Sequence, residues 1–541
     1  MFLISLAATT VVRAVAVAGY RPASWFNDSY EYVGVALRLS PYVIRPSGYS
    51  FFLRALEPFH SFMLVVVAQH LLGLLTGTTI YALLRRRSFA GWAATLAAGP
   101  TMFDGYQIQL EHVVLSETLY TAFMAVAAAS LLWDRMPRPG LAALAGLSLA
   151  GAAVTRSIGL PLAAAVSLWL FQRRPSWRTS AAFTCALAVP VLSYCTWYSS
   201  VHGSFETSGS AGIFLYSRTA TFADCAKMHP PDRLRVLCVT EPTQHRESSS
   251  YYIWHSDSPL YQVPGDTFDP TKERLAMDFA LRAIQTQPGD YIKAVASDFL
   301  RTFRSRLDDY PSPSVSRQYL FGTPPPPLDG RTNRAQIEND LRSYGHGDFV
   351  THSHQPAASW ISSYQRHVYL PAPLIGVLII AGTAGLAIGR VRRRRCSPLA
   401  LALLLTVLSL LLPPMTAGFD YRYIPPALPL LGLVLVFSLE TVGLAGADKK
   451  HGGRDSRQRA QCRSYPAAID IGHFPRRLVE RGPACQQQWA RFILRLPGQH
   501  ARRAAGPARP LKSSVPRPDL PGETAVSQQP LDAISRGSDP V

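Results

Sequence analysis

Charge is scarce in this chain. Only 16% of its 541 residues are Asp, Glu, Lys or Arg, against about 25% in an ordinary soluble protein. A chain of this length would make roughly three or four soluble domains, each needing a charged surface that this composition does not supply. The scarcity excludes a single ordinary globular domain, and an apolar share of 48% argues against a disordered or fibrous protein. Other absences narrow the function. There is no convincing phosphate loop or dinucleotide fingerprint and no finger-like or aromatic-interleaved basic motif for nucleic acid. Nor is there an internal repeat of the kind many transporters show. The charge that is present is lumped. Residues 448–541 hold 17 Lys and Arg against 8 acids, whereas most of the first 200 residues are apolar. The combination indicates a membrane protein with a basic tail.

An apolar run of about 17–25 residues crosses the hydrocarbon core as a helix. Ten runs suit this to different degrees: Met1–Gly19, Phe62–Leu84, Phe89–Phe103, Val113–Trp133, Leu141–Val154, Ile158–Phe171, Phe183–Tyr198, Val368–Ile388, Pro398–Leu412 and Ile424–Leu444. Met1–Gly19 carries Arg13. It has no basic segment before it and no convincing cleavage site after it, so it reads as an uncleaved span rather than a signal peptide. The fold class expected is an all-α polytopic bundle of about ten transmembrane helices. Short-loop Lys and Arg stay cytoplasmic. With ten spans the basic clusters at 85–87, 135–138, 173–178 and 390–395, and the tail, all fall on one side. Both termini are then cytoplasmic in a plasma-membrane protein, and segments 20–61, 104–112, 155–157, 199–367 and 413–423 face outward. The expected organisation is a transmembrane core (1–198), an extracytoplasmic insert (199–367), C-terminal membrane helices (368–444) and a basic, largely disordered cytoplasmic tail (445–541). In the tail, residues 487–497 suit an amphipathic helix on anionic lipid. The bias to Ala, Arg, Gly and Pro is associated with high-GC bacterial coding, which would turn the outward face toward a cell wall.

The outward segments hold the polar groups worth weighing. In the first, Asp28 precedes Tyr30, Val33 and Leu37 at helical spacing, and a second such group follows at Phe51, Phe52, Ala55 and Leu56. Two short interfacial helices fit this pattern. Asp28 then reads either as a helix cap or as a reactive acid. Glu111, His112 and Glu117 follow in the second, with Glu117 about a turn inside an apolar run. A carboxylate there is costly in lipid and should face a protein-lined cavity or a cationic partner. Arg156 interrupts two apolar runs. It either snorkels to headgroups or clamps a phosphate with its planar fork of donors. Asp420, Arg422 and Tyr423 sit at the mouth of the last span, where Arg422 either pairs with Asp420 or helps hold an anion.

In the insert, Cys225 and Cys238 face an oxidising compartment and are expected to form a local disulfide. Lys272–Ile284 and Tyr291–Arg304 look helical, the second with Ile292, Val295, Phe299 and Phe303 on one side. The Pro-rich stretch 311–330 reads as rigid loop. His202, His346, His352, His354 and His367 are scattered and lack metal-site spacing. Cys462 and Cys485 are isolated and expected to be reduced.

Taken in order, the acid after span one, Leu115-Ser116-Glu117, Thr155-Arg156 and the DYRYIPPALPLL stretch at 420–431 resemble the GT-C superfamily of polyprenyl-phosphate-dependent glycosyltransferases. The nearest types are the protein mannosyltransferases and aminoarabinose transferases. RPSGYSFFL at 45–53, beginning with Arg45, resembles a further stretch of that class. The resemblance covers roughly 1–200 and 368–444. It implies that Asp28 is the catalytic aspartate, that Glu111 or Glu117 is the second acid, and that Arg156 and Arg422 hold the lipid phosphate, with Arg45 and Tyr423 beside them. It implies an inverting transfer of a sugar from a polyprenyl phosphate to an envelope glycan, lipid or protein, with membrane lipids but no nucleic acid as further partners. Several relatives pair acids in the first loop, whereas Asp28 stands between Asn27 and Ser29. No cofactor is therefore expected, and a divalent metal has no support. The rival readings are a transporter or flippase of lipid-linked sugar and a structural envelope protein. The transporter reading leaves the large outward insert without a purpose.

Overall fold

In hydrocarbon every backbone polar group has to be satisfied within its own segment, so long apolar runs become helices. The computed structural model describes residues 1–305, 308–329, 333–347, 349–391 and 397–443. They form a polytopic all-α membrane architecture. The basic tail, with residues 487–497, Cys462 and Cys485, and most of the 390–395 cluster lie outside the described residues.

The chain opens with α1 (Phe2–Gly19), α2 (Ser29–Arg38), α3 (Gly48–Leu56), α4 (Phe62–Arg86) and α5 (Gly91–Phe103). It continues with α6 (Gly105–His112), α7 (Glu117–Leu132), α8 (Pro139–Thr155), α9 (Gly159–Gln172) and α10 (Trp177–His202). The polar stretch then folds as α11 (Ala211–Ala220), α12 (Cys225–Met228), α13 (Asp232–Arg235), α14 (Tyr251–Trp254), α15 (Pro270–Thr286), α16 (Pro288–Arg301), α17 (Pro313–Arg317), α18 (Arg334–Gly345) and α19 (Ala357–His367). The last elements are α20 (Ala372–Val391), α21 (Ser397–Thr416) and α22 (Leu428–Val442). Among the described residues, six helical stretches are long and apolar enough to cross a membrane: α1, α4, α10, α20, α21 and Tyr421–Val442. Helices α7, α8 and α9 are apolar but shorter, and α5 has 13 residues. The two interfacial helices expected in the first outward segment are α2 and α3.

The membrane core is a seam of Leu83, Met124, Leu131, Leu149, Leu170, Phe183, Leu405, Val434 and Phe437 from α4, α7, α8, α9, α10, α21 and α22. At one end of this bundle the basic turns meet: Asp134 accepts from Arg86 at 3.0 Å and pairs with Arg138 at 3.2 Å. The segments expected to face outward gather at the other end. There Tyr30, Val33 and Leu53 of α2 and α3 pack on Leu110, Leu115 and on Ile337, Leu341 and Tyr344 of α18. An antiparallel pair, β1 (Tyr20–Arg21) with β2 (His352–Ser353), fastens the end of α1 to the insert. His352 thus sits in a strand, and among the described residues no group of three or more His, Cys, Asp or Glu could hold a metal ion.

Three details differ from the sequence expectations. Ile292 is 65% exposed, although Phe299, on the same side of α16 two turns on, and Phe303 beyond it pack against the cluster of Ile375, Leu428 and Leu431. The Pro-rich stretch contains one helical turn, α17, because Ser312 accepts from the Val315 amide and Pro313 sits at a first-turn position, where proline is tolerated. Glu117 is the first residue of α7 rather than a turn inside it. Residues 113–116 break the helix, and the Val114 amide donates to Ser24 O at 3.1 Å.

Cys225 and Cys238, 13 residues apart, are disulfide-bonded beside a core of Tyr216, Ile253, Leu260 and Phe279. Replacing both by serine is expected to destabilise the insert by about 3 kcal/mol, the entropy of closing a loop of this size. Protease resistance of this segment in the intact protein checks it. A reductant should reproduce the loss in the wild type and change nothing further in the double variant.

Candidate functional site

Asp28 occupies the N-cap position of α2, yet its side chain makes no capping bond. The carboxylate goes elsewhere. Its Oδ1 lies 2.9 Å from Arg45 Nη1 and its Oδ2 accepts from Arg422 Nη1 at 2.5 Å. Arg45 lies just before α3, and Gly48 lets that helix start against the end of α8: a Cβ there would lie 2.5 Å from Val154 O. Arg156, the residue that ends α8, pairs with Glu117 and donates to Ser116 Oγ at 3.3 Å. Glu117 sits at the start of α7, where the helix dipole favours a carboxylate. Arg422 lies in a single 3₁₀ turn, Tyr421–Tyr423, whose first amides are capped by Asp420. Its Nε is 3.1 Å from Asp420 Oδ2 and its Nη1 is 3.6 Å from Glu117 Oε1.

The loop before α3, the start of α7, the end of α8 and the turn before α22 therefore converge on one buried network in which Arg422 approaches three carboxylates. Burial raises the Asp28 carboxyl, but Arg45 and Arg422 outweigh it and hold the group below its ordinary range. Burial wins at Asp420, whose carboxyl is pushed up against the pull of Arg422. Aromatic faces complete the shell. Arg422 lies over Phe26 and Tyr423, 4.9 and 5.5 Å from the ring centroids, and Arg156 over Tyr423 at 5.5 Å, which suits desolvated guanidinium groups.

Two cavities meet at this network and share Arg45, Arg422 and Tyr423. The first, about 340 Å³, is lined by Arg45, Arg156 and Arg422, by Ser157, Ser208 and Ser210, and by apolar Ile158, Pro161, Leu412 and Pro413; no acid is among its described lining residues. The second, about 630 Å³, is lined by Asp28, Glu31, Glu247 and Asp420 with Arg45 and Arg422. One is cationic and backed by apolar helix ends. The other is acidic.

The structure thus brings Asp28, Arg45, Glu117, Arg156, Arg422 and Tyr423 together. It does not bring Glu111 to them. Glu111 is fully buried and accepts from Arg13 Nε at 2.7 Å and Nη2 at 2.8 Å, from His70 Nδ1 at 2.9 Å and from Gln107 at 3.1 Å. Gly73 leaves room for it, since a Cβ there would lie 1.9 Å from Glu111 Oε1. His112, beside it, is driven down to about 3 by burial and bonds to Tyr20 O at 2.7 Å. This is a closed clamp on α1 that lines neither cavity. Sequence reasoning missed Phe26, Tyr32 and Tyr120 at the site, and gave Ser116 no role of its own. Tyr32 donates to Ser116 at 3.2 Å. Its place four residues after Asp28, one helical turn on, was the available signal.

No family model and no characterised protein sequence matches the chain. Among solved structures it is similar to the protein O-mannosyltransferase Pmt1–Pmt2 complex of S. cerevisiae bound to its sugar donor, at 15% identity over 41% of this chain and 36% of that one, with a TM-score of 0.31. It is also similar to the oligosaccharyltransferase AglB of Archaeoglobus fulgidus in complex with an inhibitory peptide and a dolichol-phosphate (11% identity, 91% of this chain, 54% of that one, TM-score 0.35). A third is ArnT of Cupriavidus metallidurans bound to undecaprenyl phosphate (14% identity, 85% and 80%, TM-score 0.32). The chain spans only 36% and 54% of the lengths of the first two. At these TM-scores the likenesses carry no argument about this chain's chemistry.

A buried ion pair broken on one side leaves an uncompensated charge, which costs about 3–5 kcal/mol. Glu111→Ala and Arg13→Ala are each expected to destabilise the protein by about that amount, read from thermal unfolding in detergent. The double variant should lose clearly less than the two together. Full additivity would show that the pair is not coupled.

Proposed function

We propose that the chain is an inverting membrane glycosyltransferase that moves a sugar from a polyprenyl phosphate to an acceptor hydroxyl on the outward face. The observation that carries this reading is the junction of a cationic and an acidic cavity at Asp28 and Arg422. A phosphate monoanion fits the first: Arg45, Arg156 and Arg422 supply charge-assisted donors, and the apolar ends of α9 and α21 offer the prenyl chain a path into the bilayer. The acceptor enters the second. Its hydroxyl oxygen attacks the sugar C1 while Asp28 takes the hydroxyl proton. The C1–O bond to phosphate breaks with its electron pair, so polyprenyl phosphate leaves with the extra negative charge. The arginines stabilise that charge as it develops. Glu117 holds Arg156 and is a positioning residue, and Asp420 does the same for Arg422.

A base held by two arginines is ionised but weak. Donor binding relieves this, because a phosphate that draws Arg422 and Arg45 toward itself loosens their hold on Asp28. Of the four acids that line the acidic cavity, Asp28 alone acts as the base, which suits direct displacement with inversion. The sugar is a hexose or a pentose.

Transfer by the purified protein from a radiolabelled polyprenyl-phospho-sugar tests the reading. Asp28→Asn keeps the shape and removes the base, and kcat is expected to fall by about 10²–10⁴-fold. Arg156→Ala should cost about 10²–10³-fold, the size of a lost oxyanion-type donor. The working base is the ionised form of Asp28, so kcat/KM, which reports the free enzyme, falls as pH drops through its lowered pKa. The acid limb should therefore lie below the ordinary aspartate value of about 4. A limb above that belongs to Asp420 and should vanish in Asp420→Asn. Lipid scrambling in liposomes without transfer to any acceptor would instead favour a flippase.

A further inference from the structure

The acidic cavity has a wall that the transfer chemistry does not require. It is built from Tyr42, Phe214 and the short helix α14 with the residue after it, which present Tyr251, Trp254 and His255. Tyr252 and Ile253 of α14 are buried in the insert core, while Trp254, which also lines the cavity, is 50% exposed. Tyr251 and His255 stack with ring centroids 4.4 Å apart and 16° between planes, so each ring holds the other in place. Trp254 is backed by Phe268 at 5.7 Å. The strand of chain leading into α14 is pinned, because Ser248 Oγ donates to Pro311 O at 3.0 Å. A half-exposed tryptophan beside a stacked pair, facing a cavity rather than lipid, is a preformed apolar surface with polar edges.

The charges around it point one way. Asp28, Glu31, Glu247 and Asp420 line the cavity, and the arginines among its described lining residues, Arg45 and Arg422, are both on the Asp28 carboxylate. A phosphate or uronate brought here would meet acids with no free guanidinium to offset them, and like charges in a low-dielectric cleft repel strongly. Hydroxyl groups face no such penalty: carboxylates and the serines at 248–250 accept and donate to them.

We infer that the acceptor is an uncharged glycan chain, its C–H faces laid on Trp254 and the Tyr251–His255 pair and its hydroxyls bonded to Glu31 and Glu247. This rests on the glycosyltransferase reading and adds the acceptor class. A cavity of about 630 Å³ lies in the range of sites that enclose most of a small ligand, so a few sugar units are read at a time.

The test uses the full-length protein in lipid nanodiscs with one labelled polyprenyl-phospho-sugar donor. It compares four acceptors: a neutral oligosaccharide series, an oligouronate, a phosphorylated glycolipid and a Ser/Thr peptide. Transfer to water is measured in parallel. Neutral oligosaccharides are expected to accept best. Trp254→Ala should raise acceptor KM by about tenfold more than donor KM, the size of one good aromatic contact, and Trp254→Phe should recover part of this. Glu31→Gln with Glu247→Gln should narrow the preference for neutral over uronate chains. Preferred transfer to the peptide, the uronate or the phosphorylated lipid overturns the inference while leaving the glycosyltransferase standing, as does a Trp254→Ala enzyme with unaltered acceptor KM. Loss of both transfer and donor hydrolysis in the wild type removes the glycosyltransferase reading itself, and this inference with it.

Discussion

One end of the helical bundle depends on one contact: the Asp28 carboxylate shared between Arg45 and Arg422. Taking charges out of water is expensive, and the expense is offset only where geometry and further hydrogen bonds are good. Here the partners come from positions 28, 45 and 422, so the interfacial helices of the first loop and the turn before the last membrane helix are held by the same atoms. Arg422 donates to Asp28 and lies within ion-pair distance of Asp420 and Glu117. Arg156 continues the network to α7 through Glu117 and Ser116. Each ion lies at the end or break of a helix, where the chain can turn a side chain into the junction without breaking a helical hydrogen bond.

The Arg13–Glu111–His70 clamp uses the same chemistry to a different end. Every charged atom of that group is bonded within the protein and none lines either of the two cavities at the Asp28 network. It fixes α1 against α4 and α6, so that β1 and the start of the first outward loop leave the membrane at a set place. What separates the two clusters is access rather than burial. Both are buried, but only one faces open space of the size a substrate needs.

Much of this was legible in the chain. Apolar runs gave the helices, and the basic turns 85–87 and 135–138, sorted by short-loop charge, do meet through Asp134. Asp28, Arg156 and Arg422 stood out because charge at a membrane boundary has few bland uses. Their contacts did not. Asp28 and Arg422 are 394 residues apart, and nothing local encodes their pairing. Glu111 and Glu117 could not be told apart, because their fates turn on the break at 113–116, where the Val114 amide leaves the helix ladder for Ser24 O. Arg13 read as a blemish in an apolar run; its partner is supplied by a helix almost a hundred positions later. The aromatic wall of the acidic cavity was invisible for the same reason, since Tyr42, Phe214 and Trp254 share no periodicity.

On the proposed chemistry, the sharing of Arg422 sets the order of events. While the cationic cavity holds no phosphate, Asp28 is tied to both arginines and its carboxyl is held low, so it is a poor base toward any hydroxyl, water included. A phosphate in the cationic cavity competes for the same donors, and no acid is among that cavity's described lining residues to repel it. Only then does Asp28 regain basicity, and it does so on the side where the acceptor lies. The opposite signs of the two cavities thus give the donor one way in. The shared guanidinium ties the base to donor occupancy, which a pair of separate charged sites could not do.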